Sequence, residues 1–308
     1  MSQLNLFDAD EPIEPAALDD KADGQLNLFE ANEPPPVMSL SRSRARLIAA
    51  ETVAILERGS YITPSGQTIN IGAAVNDAVQ NTIHYTEGIV PEIAAFEPRP
   101  TVIEVRNETT FAAAHRLESA GLRTLALNFA SAKSIGGGWK NGARAQEECL
   151  CRGSGLSSCL EANFDFYQFH LERGGGLYSD WMMMSPGVPV FRGDEPEEAL
   201  LDTSWTTSFL TAAAPNRKAI HWNTERILPV FEARIHKVLA IALEHKYDAV
   251  VLGAWGCGAF GNDPNEIAPL FAKVLNGPFE GAFAHAAFAV LDYSRDDAMI
   301  GPFYGALT

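Results

Sequence analysis

From about residue 41 the chain settles into a regular alternation of apolar patterns. Ser41 to Arg58 carries apolar positions at helical spacing and stops at Gly59, so a helix with a glycine C-cap is expected there. Pro64-Ser65-Gly66, set between Tyr61-Ile62 and Thr68-Ile69, predicts a hairpin. Short β-type runs then alternate with helical ones. Residues 101–105, 124–129, 208–211, 249–252 and 286–291 read as strands, and 111–119, 224–246 and 264–275 as helices. Met182-Met183-Met184 reads as strand packing. Such alternation predicts a mixed, largely parallel sheet covered by helices on both faces. Ligands of such sheets collect in the loops beyond the carboxyl ends of the strands.

Residues 1–38 break this pattern. They are rich in Asp, Glu and Pro, with Pro34-Pro35-Pro36 in a row, and are expected to be a disordered tail ahead of a folded domain spanning 39–308. The 308 residues, 46% apolar and 20% charged, suffice for one large core or two modest ones. The formal charge is −16, and between Met1 and Pro36 nine acidic side chains face the single Lys21. A surface of that sign repels phosphate backbones, so direct binding of duplex DNA is not expected. A polyanionic ligand would have to be held by backbone amides or a few placed donors. No apolar run reaches the length of a membrane span, and the acidic start has the wrong sign for a secretory leader, so a cytoplasmic protein is expected. Cys149, Cys151, Cys159 and Cys257 are too few and too clustered for a disulfide scaffold, and their C-x-C-x7-C spacing is not that of structural zinc. The seven histidines show no paired spacing of the H-E-x-x-H kind, and no metal is expected.

Two glycine-rich loops follow predicted strands. Gly136-Gly137-Gly138 comes after the strand ending near Phe129; three glycines allow positive φ and a close approach of backbone to a ligand. Gly174-Gly175-Gly176 is the plainer case of a turn. What distinguishes the first is Gln146-Glu147-Glu148 at the start of the next helix. Carboxylates in a first helical turn ordinarily compensate the dipole, but here they stand beside an expected anion cradle. Adjacent helical residues point about 100° apart, so Glu147 and Glu148 cannot flank a sugar from opposite faces as two-carboxylate glycosidases require. One carboxylate is left for the reaction centre and its neighbour for a hydroxyl or the helix. The second loop, Gly253 to Gly261, follows 249–252 and contains a formal G-x-G-x-x-G from Gly256 to Gly261. Too little chain follows for a dinucleotide fold. A strand, an amide-rich loop and a helix capped by Asn262-Asp263-Pro264 nevertheless suit a diphosphate.

Asn128-Phe129-Ala130, Gly136-Gly137-Gly138 and Ala145-Gln146-Glu147-Glu148-Cys149-Leu150-Cys151-Arg152 together resemble the signature of bacterial-type poly(ADP-ribose) glycohydrolases. Tyr178 with Ser185 to Arg192, then Ala213-Ala214-Pro215-Asn216 and Leu252 to Pro264, are similar to that family in the same order, so the resemblance runs from about Leu40 to Thr308. It implies a macrodomain-like three-layer α/β/α sandwich that binds ADP-ribose and hydrolyses ribose–ribose O-glycosidic bonds of poly(ADP-ribose), without a cofactor. By position in the motif it implies Glu148 as catalytic acid/base, Glu147 as the residue orienting the ribose, and Gln146 beside them. Asn128 would contact ribose, Gly136, Gly137 and Gly138 would line the diphosphate and distal ribose, and Gly256, Cys257, Gly258, Ala259, Phe260 and Gly261 would form the second diphosphate loop, with Phe260 against the ribose. Ile135 stands where the family pattern has proline and Ser157 where it has tyrosine. A non-catalytic ADP-ribose reader would keep both loops without needing Gln146-Glu147-Glu148, and a hydrolase of mono-ADP-ribosylated targets is a third reading.

The tail carries a repeat. Gln3-Leu4-Asn5-Leu6-Phe7 recurs 22 residues later as Gln25-Leu26-Asn27-Leu28-Phe29. Each copy is an apolar island in a polar segment, and the pattern resembles the peptide with which bacterial polymerases and repair factors enter the cleft of the DNA sliding clamp. The resemblance implies Gln3, Leu4, Leu6, Phe7, Gln25, Leu26, Leu28 and Phe29 as partner-binding residues. A flexible spacer of this length reaches roughly 25 Å and favours rebinding.

Overall fold

A computed structural model describes residues 40–93, 95–194 and 197–308. The expected disordered tail, with both Gln-Leu-Asn-Leu-Phe copies, lies outside the described residues. The chain opens with α1 (Arg42–Arg58), whose N-cap Ser41 hydroxyl accepts from the Arg44 amide at 3.2 Å and which ends on Gly59 at φ +71°. The expected hairpin follows as β1 (Ser60–Ile62) and β2 (Thr68–Asn70). Next come α2 (Gly72–Gln80), β3 (Ile83–Tyr85), β4 (Val102–Arg106), α3 (Thr110–Ser119) and β5 (Thr124–Phe129), then α4 (Gln146–Gly153), α5 (Leu156–Ala162) and α6 (Asp165–Arg173). Two long strands, β6 (Met182–Arg192) and β7 (Leu200–Ala212), precede α7 (Ile227–Glu244), β8 (Ala249–Leu252), α8 (Pro264–Leu275), β9 (His285–Ala289) and α9 (Gly301–Leu307).

Seven strands form one sheet in the order β3-β6-β7-β5-β8-β9-β4. β7, β5, β8, β9 and β4 are mutually parallel, and β6 is antiparallel to both β3 and β7. Successive residues of a strand face opposite sides, and the core divides accordingly. Leu125, Leu127, Leu210, Val250 and Phe288 pack with Phe231, Ile235 and Val238 of α7 and Ile267 and Phe271 of α8. Ala126, Phe209, Val251 and Ala287 pack with Phe111 and Leu117 of α3, Leu150 of α4, Leu160 of α5 and Phe166 of α6. The result is the three-layer α/β/α sandwich expected from the sequence.

The extent of β6 and β7 differs from the expectation. Met182-Met183-Met184 reads as strand, and β6 continues beyond it through Pro186, Gly187 and Pro189 to Arg192. The register slips between Ser185 and Val188, and a bulge is where a strand tolerates Pro and Gly. β7 runs eight residues upstream of the predicted Ser208 because its first half carries Asp202, Thr203 and Ser204, exposed or half-exposed positions without the apolar run that marks a buried strand.

The five parallel strands end on one edge of the sheet. Their following loops, 107–110, 130–145, 213–216, 253–263 and 290–293, therefore emerge side by side. A cleft of about 480 Å³ opens there, lined by Thr110, Phe129, Gln146, Ala214, Phe260 and Tyr293 among others. Each comes from or beyond a different element, so the cleft exists only once the sheet is assembled.

Candidate active site

α4 points its first turn at this edge. Its anchor is Gln146, whose Oε1 accepts from the Phe129 amide at 2.9 Å while its Nε2 donates to the Leu127 carbonyl at 2.7 Å and to the Thr110 hydroxyl at 3.0 Å. The side-chain amide is thus engaged with the end of β5 and the start of α3, although Gln146 also faces the cleft. Its geometry is that of a clasp which sets where residues 147 and 148 stand.

Glu147 and Glu148 are both buried, at 3% and 9% exposure. Glu147 accepts from the Ser131 amide at 2.7 Å and from Asn128 Nδ2 at 3.3 Å. Asn128 in turn donates to the Thr211 hydroxyl at 3.2 Å, its partner in the parallel β5–β7 register, while its own Oδ1 is buried without a partner. Burial pushes the Glu147 carboxyl up to about 8 against the bond from Ser131; the charge of Glu148 adds to the rise and the Asn128 bond opposes it. Glu148 Oε1 accepts from the Gly138 amide at 2.9 Å, and Oε2 is shut off from solvent with no protein partner. A buried acceptor left unmatched costs about 1–3 kcal/mol, and such an atom at the carboxyl edge of a parallel sheet calls for a ligand as its explanation.

The triple glycine lies over these carboxylates. Gly136 and Gly137 both have φ +62°. A Cβ on Gly137 would stand 3.0 Å from Glu148 Cδ and 3.2 Å from Glu147 Oε2, so only glycine passes there. The amides differ from the expected open row. Gly137 donates to the Ser134 carbonyl at 3.0 Å and Gly138 to Glu148, while the Gly136 amide is directed at the buried Tyr167 hydroxyl, so the three amides are turned to protein partners. Ile135, in place of the family's proline, packs against the core cluster that contains Trp139 and Cys151 and pins the loop by apolar contact. Ser157 is buried within α5.

The second loop divides in a similar way. The Cys257 amide bonds the Ala254 carbonyl at 3.0 Å and the Gly261 amide the Gly258 carbonyl at 3.2 Å, closing the turn from within. Asn262 Nδ2 donates to the Pro215 and Gly256 carbonyls at 2.8 and 2.9 Å, and Trp255 Nε1 to Ala212 at 3.2 Å. The amides of Gly258, Ala259 and Phe260 have no acceptor among the described residues and form the outward row that suits an anion. The Cys257 thiol turns inward, where burial pushes it up to about 12, so its contribution is backbone shape rather than thiolate chemistry. α8 begins directly behind, with the Asp263 carboxylate capping the Asn265 amide at 2.9 Å.

Further side chains belong to the setting. Tyr178, at φ +56°, places its ring 6.1 Å from that of Phe260, with Lys133 Nζ 5.7 Å from the Tyr178 centroid and Asn216 Nδ2 donating to its hydroxyl at 3.4 Å. Tyr178 and Asn216 stand in motifs visible in the sequence, but their meeting depends on the fold. Ser131 acts through its amide and leaves no side-chain signal. Arg152, in the last turn of α4, is fully buried in a bidentate pair with Glu198, at 2.6 Å from Nη2 to Oε1 and 2.8 Å from Nε to Oε2.

The pH dependence of stability follows from Glu147. Its ordinary value is 4.5 and its folded value about 8. The native state therefore holds a proton the unfolded chain has released, and stability falls as pH rises from about 4.5 to about 8. Glu147→Gln removes this titration. Thermal denaturation across that range is expected to show the variant gaining on the parent as pH rises, and a constant difference would contradict the assignment.

The family model for the microbial-type poly(ADP-ribose) glycohydrolase catalytic domain matches residues 49–193. No curated protein sequence matches the chain. Among solved structures, poly(ADP-ribose) glycohydrolase from Thermomonospora curvata superimposes with a TM-score of 0.82 at 46% identity, covering 86% of this chain and 100% of that one. The same enzyme bound to the inhibitor ADP-HPD gives 0.78 at 46% identity, over 85% and 99%. Poly(ADP-ribose) glycohydrolase from Deinococcus radiodurans in complex with ADP-ribose gives 0.67 at 36% identity, over 75% and 96%. With identity of this order across the whole length of the solved enzymes, and with buried adjacent glutamates under a triple glycine, the chain belongs to the microbial-type poly(ADP-ribose) glycohydrolase family.

Proposed function

We propose that the chain hydrolyses the ribose–ribose O-glycosidic bonds of poly(ADP-ribose) and releases ADP-ribose, with residues 39–308 acting as one catalytic domain. The observation that carries this reading is Glu148, one oxygen fixed by the Gly138 amide and the other buried and unmatched. In the reaction Glu148 gives its proton to the departing ribose oxygen as the anomeric carbon takes on oxocarbenium character. The resulting carboxylate then takes a proton from water as that water bonds to the anomeric carbon, which restores the acid. Glu147 holds a ribose hydroxyl, the outward amides of Gly258, Ala259 and Phe260 hold the diphosphate, and Phe260 packs on the distal ribose. The test is labelled polymer beside a mono-ADP-ribosylated protein. Shortening of the polymer with the mono-modified protein unchanged is the expected result, and the reverse would favour a mono-ADP-ribosyl hydrolase. Binding without any cleavage would identify a reader.

Because Glu148 Oε2 is closed off from solvent, the sugar reaches it only through a shift of the 136–138 segment or of the side chain itself. Gly137→Ala adds a methyl group against both carboxylates and fixes the wrong backbone region, at about 1–2 kcal/mol for positive φ alone. It is expected to lower kcat at least about tenfold, since 1.4 kcal/mol is already a factor of ten. Unchanged kcat in steady-state kinetics would show that the loop does not control access.

The repeated tail motif supports a second element of the proposal, docking of the protein in the cytoplasm on the DNA sliding clamp. Titration calorimetry of the full chain against the clamp is expected to show binding that is lost when Leu6, Phe7, Leu28 and Phe29 are all replaced by Ala. Absence of heat with the parent chain would remove clamp docking and leave the hydrolase reading intact. Among the described residues no helix is long and apolar enough to cross a membrane.

A further inference from the structure

A second cleft, of about 560 Å³, lies between the 173–180 segment, residues 219–226 and α7. Tyr178 lines it, and the Tyr178 ring also meets Phe260, which lines the cleft at the sheet edge. The strip between the two is thin. Lys218 donates its amide to the Phe260 carbonyl at 3.2 Å, while its neighbour Ala219 faces the second cleft. The two cavities are therefore adjoining rooms with Tyr178 in the shared wall.

The second cleft carries groups that the hydrolysis described above does not use. Trp222 is 82% exposed at its mouth, a large aromatic surface left to water. Arg226 lies beside it, exposed, one helical turn before Val230 of the same lining. Arg234 forms part of the wall at 2% exposure, its Nη1 donating to the Ala213 carbonyl at 2.9 Å and its Nη2 to the Leu177 carbonyl at 2.5 Å, with Nε buried without an acceptor. The acidic side chains of the lining are already paired: Glu87 with Arg173 at 2.6 Å, and Asp180 with Lys237 at 3.1 Å. Arg226 remains for a ligand anion, with the charge of Arg234 behind the wall, in a protein whose overall charge is −16. Tyr178 at φ +56° and Asn223 at φ +58° are non-glycine residues in the left-handed region, and both border this cleft.

We infer that this cleft is a subsite for the polymer unit on the leaving side of the scissile bond, with the adenine stacked on Trp222 and the diphosphate facing Arg226 and the Arg234 wall. The inference rests on the poly(ADP-ribose) hydrolase reading. The chemistry of the polymer supplies the occupant. The oxygen protonated by Glu148 belongs to the adenosine ribose of the next unit, so an adenosine diphosphate group necessarily leaves the reaction centre alongside the bond that breaks. An aromatic face and an exposed guanidinium are the complement of such a group, since stacking tolerates the base and guanidinium binds phosphate oxygens. A subsite of this kind makes the enzyme prefer chain over a single modified residue.

The test compares two substrates on the full chain: defined-length poly(ADP-ribose), and ADP-ribose carrying a small aryl ether at the anomeric carbon, which has no nucleotide on its leaving side. Alanine replacement of an aromatic stacking partner typically weakens base binding by about tenfold or more. Trp222→Ala and Arg226→Ala, both at exposed positions, are each expected to raise KM for polymer about tenfold with kcat little changed. Their effect on the aryl ether is expected to be less than twofold. An equal loss on both substrates, or no loss on polymer, would overturn the subsite while leaving the hydrolase reading in place. Failure of the parent chain to cleave polymer at all would overturn both.

Discussion

Glu148→Gln is expected to lower polymer cleavage by about 10²- to 10⁴-fold, the range that a positioned general acid/base contributes, while ADP-ribose still binds. The geometry explains why these two effects separate. Glutamine keeps an oxygen that can accept from the Gly138 amide, so the 2.9 Å contact that ties the loop to α4 survives. It brings no proton to the departing oxygen and takes none from water, so both halves of the reaction lose their catalyst. In the proposed binding mode the diphosphate is held by another loop, through the amides of Gly258, Ala259 and Phe260, which have no acceptor among the described residues and which this substitution leaves untouched. Calorimetry with ADP-ribose and a stopped assay on labelled polymer measure the two separately. Polymer shortening by the variant at the parent's rate would remove Glu148 from the chemistry. Glu147→Gln should behave differently, because Glu147 is held by Ser131 and Asn128 on the protein side and has no equivalent unmatched oxygen.

Much of this site is legible in the sequence because it is built from short segments whose local rules are strong. Gly136 needs glycine for positive φ and for passage over Trp139 and Cys151, Gly137 for positive φ and for passage over the carboxylates, and Gly256 and Gly261 for positive φ. Gln146-Glu147-Glu148 begins a helix, and Asp263-Pro264 begins another. The layering also follows from apolar runs such as Ala249-Val250-Val251-Leu252, buried on both faces. What the sequence hides is the destination of amides and of buried polar groups. The triple glycine reads as an open anion cradle, but Gly138 donates to Glu148, because a buried carboxylate beside a free N–H is the stronger partner. Gln146 reads as a ligand-side residue, and its amide is engaged by β5 and Thr110. β6 was obscured by Pro186 and Pro189, which a bulge accommodates. Gly174-Gly175-Gly176 reads as a plain turn, yet all three residues border the second cleft.

Arg152→Ala is expected to destabilise the protein by about 3–5 kcal/mol, the cost of stripping one member from a buried ion pair. The guanidinium is fully buried and forms three contacts with Glu198 between 2.6 and 3.0 Å, and a further bond to the Ala143 carbonyl at 2.5 Å. Removing it strands Glu198, at 3% exposure, without the charge that justifies its burial. The pair does more than hold the core. Ala143 belongs to the loop descending from the triple glycine, and Arg152 lies one helical turn beyond Glu148, so one side chain ties the loop, the helix that carries both glutamates, and the Glu198 wall of the cleft. A structural role alone would lower the urea midpoint and leave kcat unchanged under conditions where the chain is folded. The tie predicts a loss in kcat as well, because the positions of Gly138 and Glu148 relative to one another are set from both ends of α4. Arg152→Met combined with Glu198→Leu distinguishes the two contributions. Replacing both charges by apolar groups removes the stranded carboxylate and is expected to recover most of the stability, whereas kcat stays low because the bond to Ala143 is not restored.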